Sequence, residues 1–217
     1  MSIIIHIMLM LIIKGAGMRV TQDVVRRHRE ELIQAAARML RERGVEATGV
    51  TDVCRAAGLT HGAFYRHFES KEALVLVACE AAFNWRIADL ADETKPGDGA
   101  PERIAQYLSA THRDTPAAGC PVAALAIDAA RSGQPLAGVL AKGMRHYIDQ
   151  FARLFPMRKP SPTAQEAQRD RAIAALAAMV GGLILARATV SADPDLSDQI
   201  LRAVRDGMAS TSAEASE

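Results

Sequence analysis

Residues 50–67 read VTDVCRAAGLTHGAFYRH, two short helical runs, about 50–57 and 61–67, held apart only by Gly58, Leu59 and Thr60. Gly58 supplies the left-handed turn residue that a β-carbon would oppose, and Leu59 plugs the turn. Thr60 is placed to cap the second run, its hydroxyl accepting from a backbone N–H. Val53, Ala56 and Ala57 give the first run an apolar face of little bulk, and Phe64 and Phe68, spaced i, i+4, bury the rear of the second. Ahead of them a helix is expected over 22–43, with Val25, Leu32, Ala36, Met39 and Leu40 as its stripe and Gly44 as its stop. Behind them Ser70 opens a longer helix to about residue 91. Hydrophobic residues make up 49% of the 217 and aromatics only 4%, with abundant Ala and no alternating β-branched runs, so the chain reads as all-α.

Breakers divide the remainder. Residues 95–101, KPGDGAP, form a linker, and further breaks fall at 116–121, 132–135, 156–162 and 193–194. Five more helices fit between them, about nine in all. The longest, about 163–190, carries a Gly181-Gly182 pair, and the last spans about 196–208. The divisions expected are an extension over 1–17, a head over 18–70, a helical body over 71–210, and a disordered tail over 211–217. The opening MSIIIHIMLMLII is too short for a membrane span, and Met18 is read as the natural start, a weak membrane-associating tail being the lesser alternative.

Net charge is +1, but residues 19–71 hold ten Lys/Arg against seven Asp/Glu, and residues 72–217 hold fifteen against eighteen. A modestly basic head on a mildly acidic body fits a nucleic-acid partner without establishing one. Cys54, Cys79 and Cys120 show no metal spacing, so no metal or cofactor is expected, and a reduced cytoplasmic setting is the simplest reading. Paired-carboxylate, phosphate-loop and triad patterns are lacking, which argues against an enzyme. A nonspecific architectural DNA binder would require a strongly basic chain.

The two short runs meet the demands of a helix-turn-helix, whose second helix enters the major groove of double-stranded DNA. Gly62 and Ala63 leave its first turn free of bulk, His61 and Arg66 supply base-edge donors, and Thr60, Tyr65, His67 and Lys71 stand where phosphates would be held. The stretch AGLTHGAFYRHFESKEAL, residues 57–74, with the preceding RERG, closely resembles the TetR family of one-component regulators. That resemblance implies a homodimer built on a four-helix bundle, with an apolar cavity whose small-molecule effector lowers affinity for a palindromic operator. A repressor is the expected sign, an activator the alternative. By position it marks Thr60, His61, Tyr65, His67 and Lys71 as DNA contacts. Gly49 and Ala63 depart from the common Thr at each place; Thr48 or Thr51 is the substitute considered for the first.

For the body, the larger side chains available to line a pocket are Phe83, Trp85, Tyr107 and His112, together with Met144, Tyr147, Phe151 and Met179. Leu176, Val180, Gly181, Leu183 and Ile184 on the longest helix, with Ile200, Leu201 and Val204 on the last, are expected at the dimer interface. Cys120, flanked by Gly119 and Pro121 at a helix start, is either small buried filler or a thiol sensor of electrophiles or oxidants.

Overall fold

The computed structural model describes the backbone of residues 2–91, 99–155 and 161–214, and side chains between residues 22 and 209. The expected extension 1–17 and tail 211–217 lie outside the described side chains, and much of the linker 95–101 and of the break 156–162 lies outside the described residues. Among the described residues all regular structure is helical: α1 (Ser2–Arg43), α2 (Val50–Ala56), α3 (His61–Phe64), α4 (Lys71–Ala91), α5 (Ala100–Tyr107), α6 (Ala110–Asp114), a 3-10 turn (Pro116–Ala118), α7 (Pro121–Ser132), α8 (Gln134–Ala152), α9 (Pro162–Thr189) and α10 (Pro194–Glu214).

Local chemistry sets these boundaries. Gly44 ends α1 at φ +78°, Ser109 and Ser161 cap α6 and α9 by accepting from the N–H three residues on, and Pro occupies an opening position of α5, α7, α8 and α9. Beyond α4, six α-helices stand among the described residues where five were expected. Ser109 is the reason: its cap restarts the helix immediately after Tyr107 and Leu108.

In α1 the buried face is Leu32, Ile33, Ala35, Ala36, Ala37 and Leu40, while Val25, expected in that stripe, is 50% exposed. It precedes the first α1 residues that touch the rest of the head, His28 and Arg29. Two bonds then weld α1 to the body. Arg41 donates from Nε to the Ala117 carbonyl at 2.8 Å, its guanidinium stacking 5.3 Å from the Trp85 ring, and the Val45 N–H donates to Asp128 Oδ2 of α7 at 2.8 Å.

α9 and α10 form an antiparallel pair. Ser197 donates to the Ala186 carbonyl at 2.8 Å at one end, and at the other a β-carbon on Gly182 would meet Val204 at 3.1 Å and Leu108 at 3.4 Å. Gly182 is therefore an internal close contact, whereas Gly181 faces open space. Three expected interface residues, Leu176, Leu183 and Leu201, are at most 4% exposed within the protomer, because α9 turns them toward its own neighbours.

The centre of the body is fastened through His112. Its Nδ1 lies 2.7 Å from the Tyr107 carbonyl and its Nε2 accepts from the Cys120 N–H at 3.2 Å, which defines a neutral ring protonated at Nδ1. Arg187 of α9 donates to the carbonyls of His112 and Arg113, closing the C-terminus of α6. Burial first, then the charges of Arg86 and Arg187, press the His112 pKa from 6.5 to about 4, against the support of the Tyr107 carbonyl. The folded state thus resists a proton that the unfolded chain accepts, so this contribution is complete above pH 6.5 and declines as pH falls toward 4. We expect unfolding free energy to drop by about 3 kcal/mol across that window, and His112→Gln to flatten the drop in denaturant titrations at stepped pH.

Candidate nucleic-acid interface

The turn between α2 and α3 forms as its residues dictate. Gly58 sits at φ +69°, the Leu59 N–H donates to the Cys54 carbonyl at 2.8 Å, and Thr60 Oγ1 accepts from the Ala63 N–H at 3.3 Å. Behind the turn, Val53 and Cys54 are buried, while Ala56, expected to pack, is exposed. A seven-residue run brings only one narrow face to α1, and Val53 and Cys54 fill it.

α3 itself is a single turn, shorter than the expected 61–67. Beyond Phe64 the chain goes on turning, with Arg66 and His67 N–H groups donating to Ala63 and Phe64 carbonyls at 3.2 and 2.8 Å. Phe64 is 0% and Phe68 5% exposed, their centroids 5.8 Å apart, so the segment is fastened from behind. On the outer side His61, Gly62, Tyr65 and Arg66 are exposed and Ala63 and His67 half-buried. Tyr65 is held between His61 at 5.3 Å and Phe64 at 5.1 Å, both edge-on, which orients a ring that is 57% exposed.

At the end of the segment Ser70 Oγ accepts from the Ala73 N–H at 3.1 Å, and Lys71 opens α4, its Nζ donating to the Glu46 carbonyl at 3.4 Å. That contact parks the ammonium at the edge of the same surface. His28 and Arg29, which the motif alone does not reveal, join it from α1. The His28 ring stands edge-on to His67 at 6.4 Å, and the Arg29 guanidinium covers Phe68 at 5.0 Å. Partial burial and the nearby His28, Arg29 and Arg66 hold the His67 pKa below 6.5.

Other basic groups are already engaged. Arg43 and Arg55 both pair with Asp52. Gly49 caps α2 without any side-chain bond, and Thr48, one of its two suggested substitutes, is buried and donates to the Gly44 carbonyl at 2.6 Å, which leaves Thr51 exposed in that place.

Residues 32–78 match the family model of bacterial regulatory proteins, tetR family. That stretch, running from α1 into α4, is the part of the chain that carries the family's pattern. The repressor KstR2 of Mycobacterium tuberculosis is 40% identical over 73 residues, a match spanning 32% of this chain and 36% of KstR2, so the chain spans about a third of that relative. An uncharacterized HTH-type regulator of the same organism is 28% identical over 168 residues, 73% of this chain and 84% of its own. A TetR regulator from Chloroflexus aurantiacus shares the fold at TM-score 0.62 and 23% identity, covering 87% of this chain and 95% of its own. The tetR-family match thus ends within α4, and the body is alike chiefly in architecture.

The expected pocket residues of the body do not converge as a set. Phe83, Tyr107, Tyr147, Phe151 and Met179 are buried and Met144 half-buried, but Trp85 is 44% exposed beneath Arg41 on the α1–α4 side. His112 has both ring nitrogens bonded within the fold and acts as a strut. Tyr107, Cys120 and Tyr147 do come together, around Arg86, a residue the sequence reading passed over because nothing in its spacing distinguishes it from surface arginines.

The two glycines of the motif separate stability from surface shape. No atom lies within 4 Å of a β-carbon at either, but only Gly58 has positive φ. Gly58→Ala should lose about 1–2 kcal/mol of stability. Gly62→Ala should gain up to about 1 kcal/mol in thermal or denaturant unfolding and yet weaken DNA binding, since it places a methyl on the approach face.

Proposed function

We propose that the chain is a transcriptional repressor, acting in the cytoplasm as a homodimer on a palindromic operator and released by a small-molecule effector. The observation that carries this is the exposed row Thr60 to Lys71, pinned from behind by Phe64 and Phe68 within a tetR-family head. KstR2, a repressor, is alike in that head.

In this reading Thr60, Tyr65, His67 and Lys71 hold phosphates, and His61, Gly62, Ala63 and Arg66 meet base edges. Arg29 adds a further cation on the same side. Lys71 moves from the Glu46 carbonyl to a phosphate, a charge-assisted bond stronger than the one it leaves. One head makes too few contacts for specific binding at physiological salt, so two copies are needed.

α9 offers the surface for the second copy. It is long and apolar enough to cross a membrane by composition, yet only 39% of its most apolar window is buried. Ile173, Ala177, Gly181 and Leu185 fall four residues apart on one exposed or half-exposed line, with the half-buried Val180, Ile184, Ile200 and Val204 at its margins. Helix packing with a partner copy covers that line and leaves Leu176, Leu183 and Leu201 to the protomer interior. Effector binding in the body would then shift the heads through α4 and through the Arg41–Ala117 and Val45–Asp128 bonds, provided the ligand favours one body conformation.

Footprinting of the DNA flanking the chain's own gene tests the core of the reading: a protected inverted repeat is expected, and protection no better than on random DNA would sink it. Phosphate contact favours the imidazolium of His67, raising a pKa that is depressed in the free protein. Affinity should therefore rise as pH drops from about 8 to about 6, with a shallower slope in His67→Gln. Leu185→Glu should turn the dimer into a folded monomer by sedimentation and abolish footprinting; an unchanged dimer would remove α9 from the interface.

A further inference from the structure

The body keeps two donors that its own fold leaves unmet. Arg86 directs Nη1 to Asp89 at 2.8 Å, but its Nε is buried with no hydrogen-bond partner among the described residues. The hydroxyl of Tyr107, a residue 1% exposed, meets no oxygen or nitrogen acceptor and has beside it only the Cys120 thiol, a weak partner. The Arg86 guanidinium carbon lies 5.9 Å from the Tyr107 ring centroid, so both donors belong to one region. Cys120 and Tyr147 border it.

Unmet buried donors are rare in native folds, and two of them together call for an acceptor that the chain does not provide. The surrounding charge narrows the choice. Arg41, Arg86 and Arg187 all lie within electrostatic reach of the Cys120 side chain, whereas the acid paired to this group is Asp89. His112 adds no charge, because both its nitrogens are bonded in the neutral form. Buried apolar side chains of the same body core include Phe83, Leu125, Phe151 and Met179.

We propose that the body binds a carboxylate carried on an apolar chain, whose oxygens accept from Arg86 Nε–H and Tyr107 Oη–H while the chain lies among those apolar side chains. This rests on the reading of the body as effector-binding and names the chemical class of the effector. On α4 and α8 a half-open groove of about 270 Å³ is lined by the apolar Phe83, Ile87 and Val139 and by polar side chains that include Lys142 and Arg145 as well as Glu80 and Asp149. The Phe83 ring sits against bare backbone there, since a β-carbon on Gly143 would fall 2.4 Å from it. One helical turn further along the same two helices stand Arg86 and Tyr147.

The test uses the full chain, its Tyr107→Phe and Arg86→Gln variants, and hexanoate, octanoate and decanoate as probes, with octanol as the uncharged control. Free Tyr107→Phe should melt within about 2 °C of the unaltered protein or above it, because the lost hydroxyl had only a weakly accepting thiol beside it. Calorimetric titration should show octanoate or decanoate binding the unaltered protein, octanol binding far more weakly, and each variant losing about tenfold in carboxylate affinity. A free Tyr107→Phe that melts several degrees lower would mean that the hydroxyl is bonded within the fold, and the proposal falls. It falls equally if none of the three carboxylates binds, or if Tyr107→Phe binds them as tightly. Operator release, followed by anisotropy of labelled DNA, separates this from the regulatory reading. Carboxylate binding that depends on Tyr107 but leaves DNA bound overturns the effector-release reading alone. Release by octanol, unchanged in Tyr107→Phe, overturns the carboxylate alone.

Discussion

The burial of Phe64 and Phe68 behind α3 is what allows a single helical turn to have a shape at all. A four-residue helix has no stability of its own, since nucleation fixes several dihedrals for one hydrogen bond. Two phenyl side chains removed from water contribute about 2–3 kcal/mol each, enough to hold the turn in one orientation. From that anchoring follow the outward direction of His61 and Tyr65 and the entry angle of α4, whose first residues continue the same segment. Gly58 and the Thr60 cap refine the geometry, but without the two rings they would cap a helix that does not persist.

The same economy appears where head meets body. α1 packs against α2 and α4 in the head and at the joint through its buried alanines and leucines, and Arg41 and the residues just past its end reach the body. Arg41 and the Val45 amide each reach one acceptor, on the 3-10 turn and on α7. Asp128 leaves no room beside Gly44, where a β-carbon would come 3.0 Å from its carboxylate. The 3-10 turn leads directly into Cys120, whose amide is bonded to His112, so a chain of specific hydrogen bonds runs from the buried polar region to α1. Such bonds are directional, and they add a defined geometry to the packing of α1 on α4, α7 and the 3-10 turn.

Legibility in the sequence followed the range of the interactions. Gly44, Gly58, Thr60 and Ser70 act within one or two turns, and α1 ends, the chain turns and α3 and α4 open where these residues stand. Phe64 and Phe68 were legible because their spacing admits one buried face. What escaped depended on partners distant in sequence. Arg86 is an ordinary arginine until Tyr107 and Tyr147 are brought beside it, and His112 looks like a ligand until its two nitrogens meet Tyr107 and Cys120. Leu176, Leu183 and Leu201 look like interface residues because apolar periodicity marks a face as buried without saying by whom. Gly181 and Gly182, adjacent in the chain, illustrate the point: a helix advances about 100° per residue, so one meets Val204 and the other meets open space.

Two kinds of incompleteness remain in the body, and they differ in physical character. The exposed line on α9 lacks only apolar contact, a nondirectional need that a second copy of the same line satisfies with modest demands on geometry. The unmet donors of Arg86 and Tyr107 are directional and lie in a low-dielectric interior, where an acceptor is worth more than in water but must arrive at a defined position. The first is suited to permanent association. The second is suited to a ligand that comes and goes, because the protein is stable without it and gains on binding the bonds its own fold omits. In the proposed dimer, the hydrogen bonds from that region to α1 would place a reversible binding event on the side of the body that faces the head, while the apolar line on α9 would hold the two heads at a fixed starting separation.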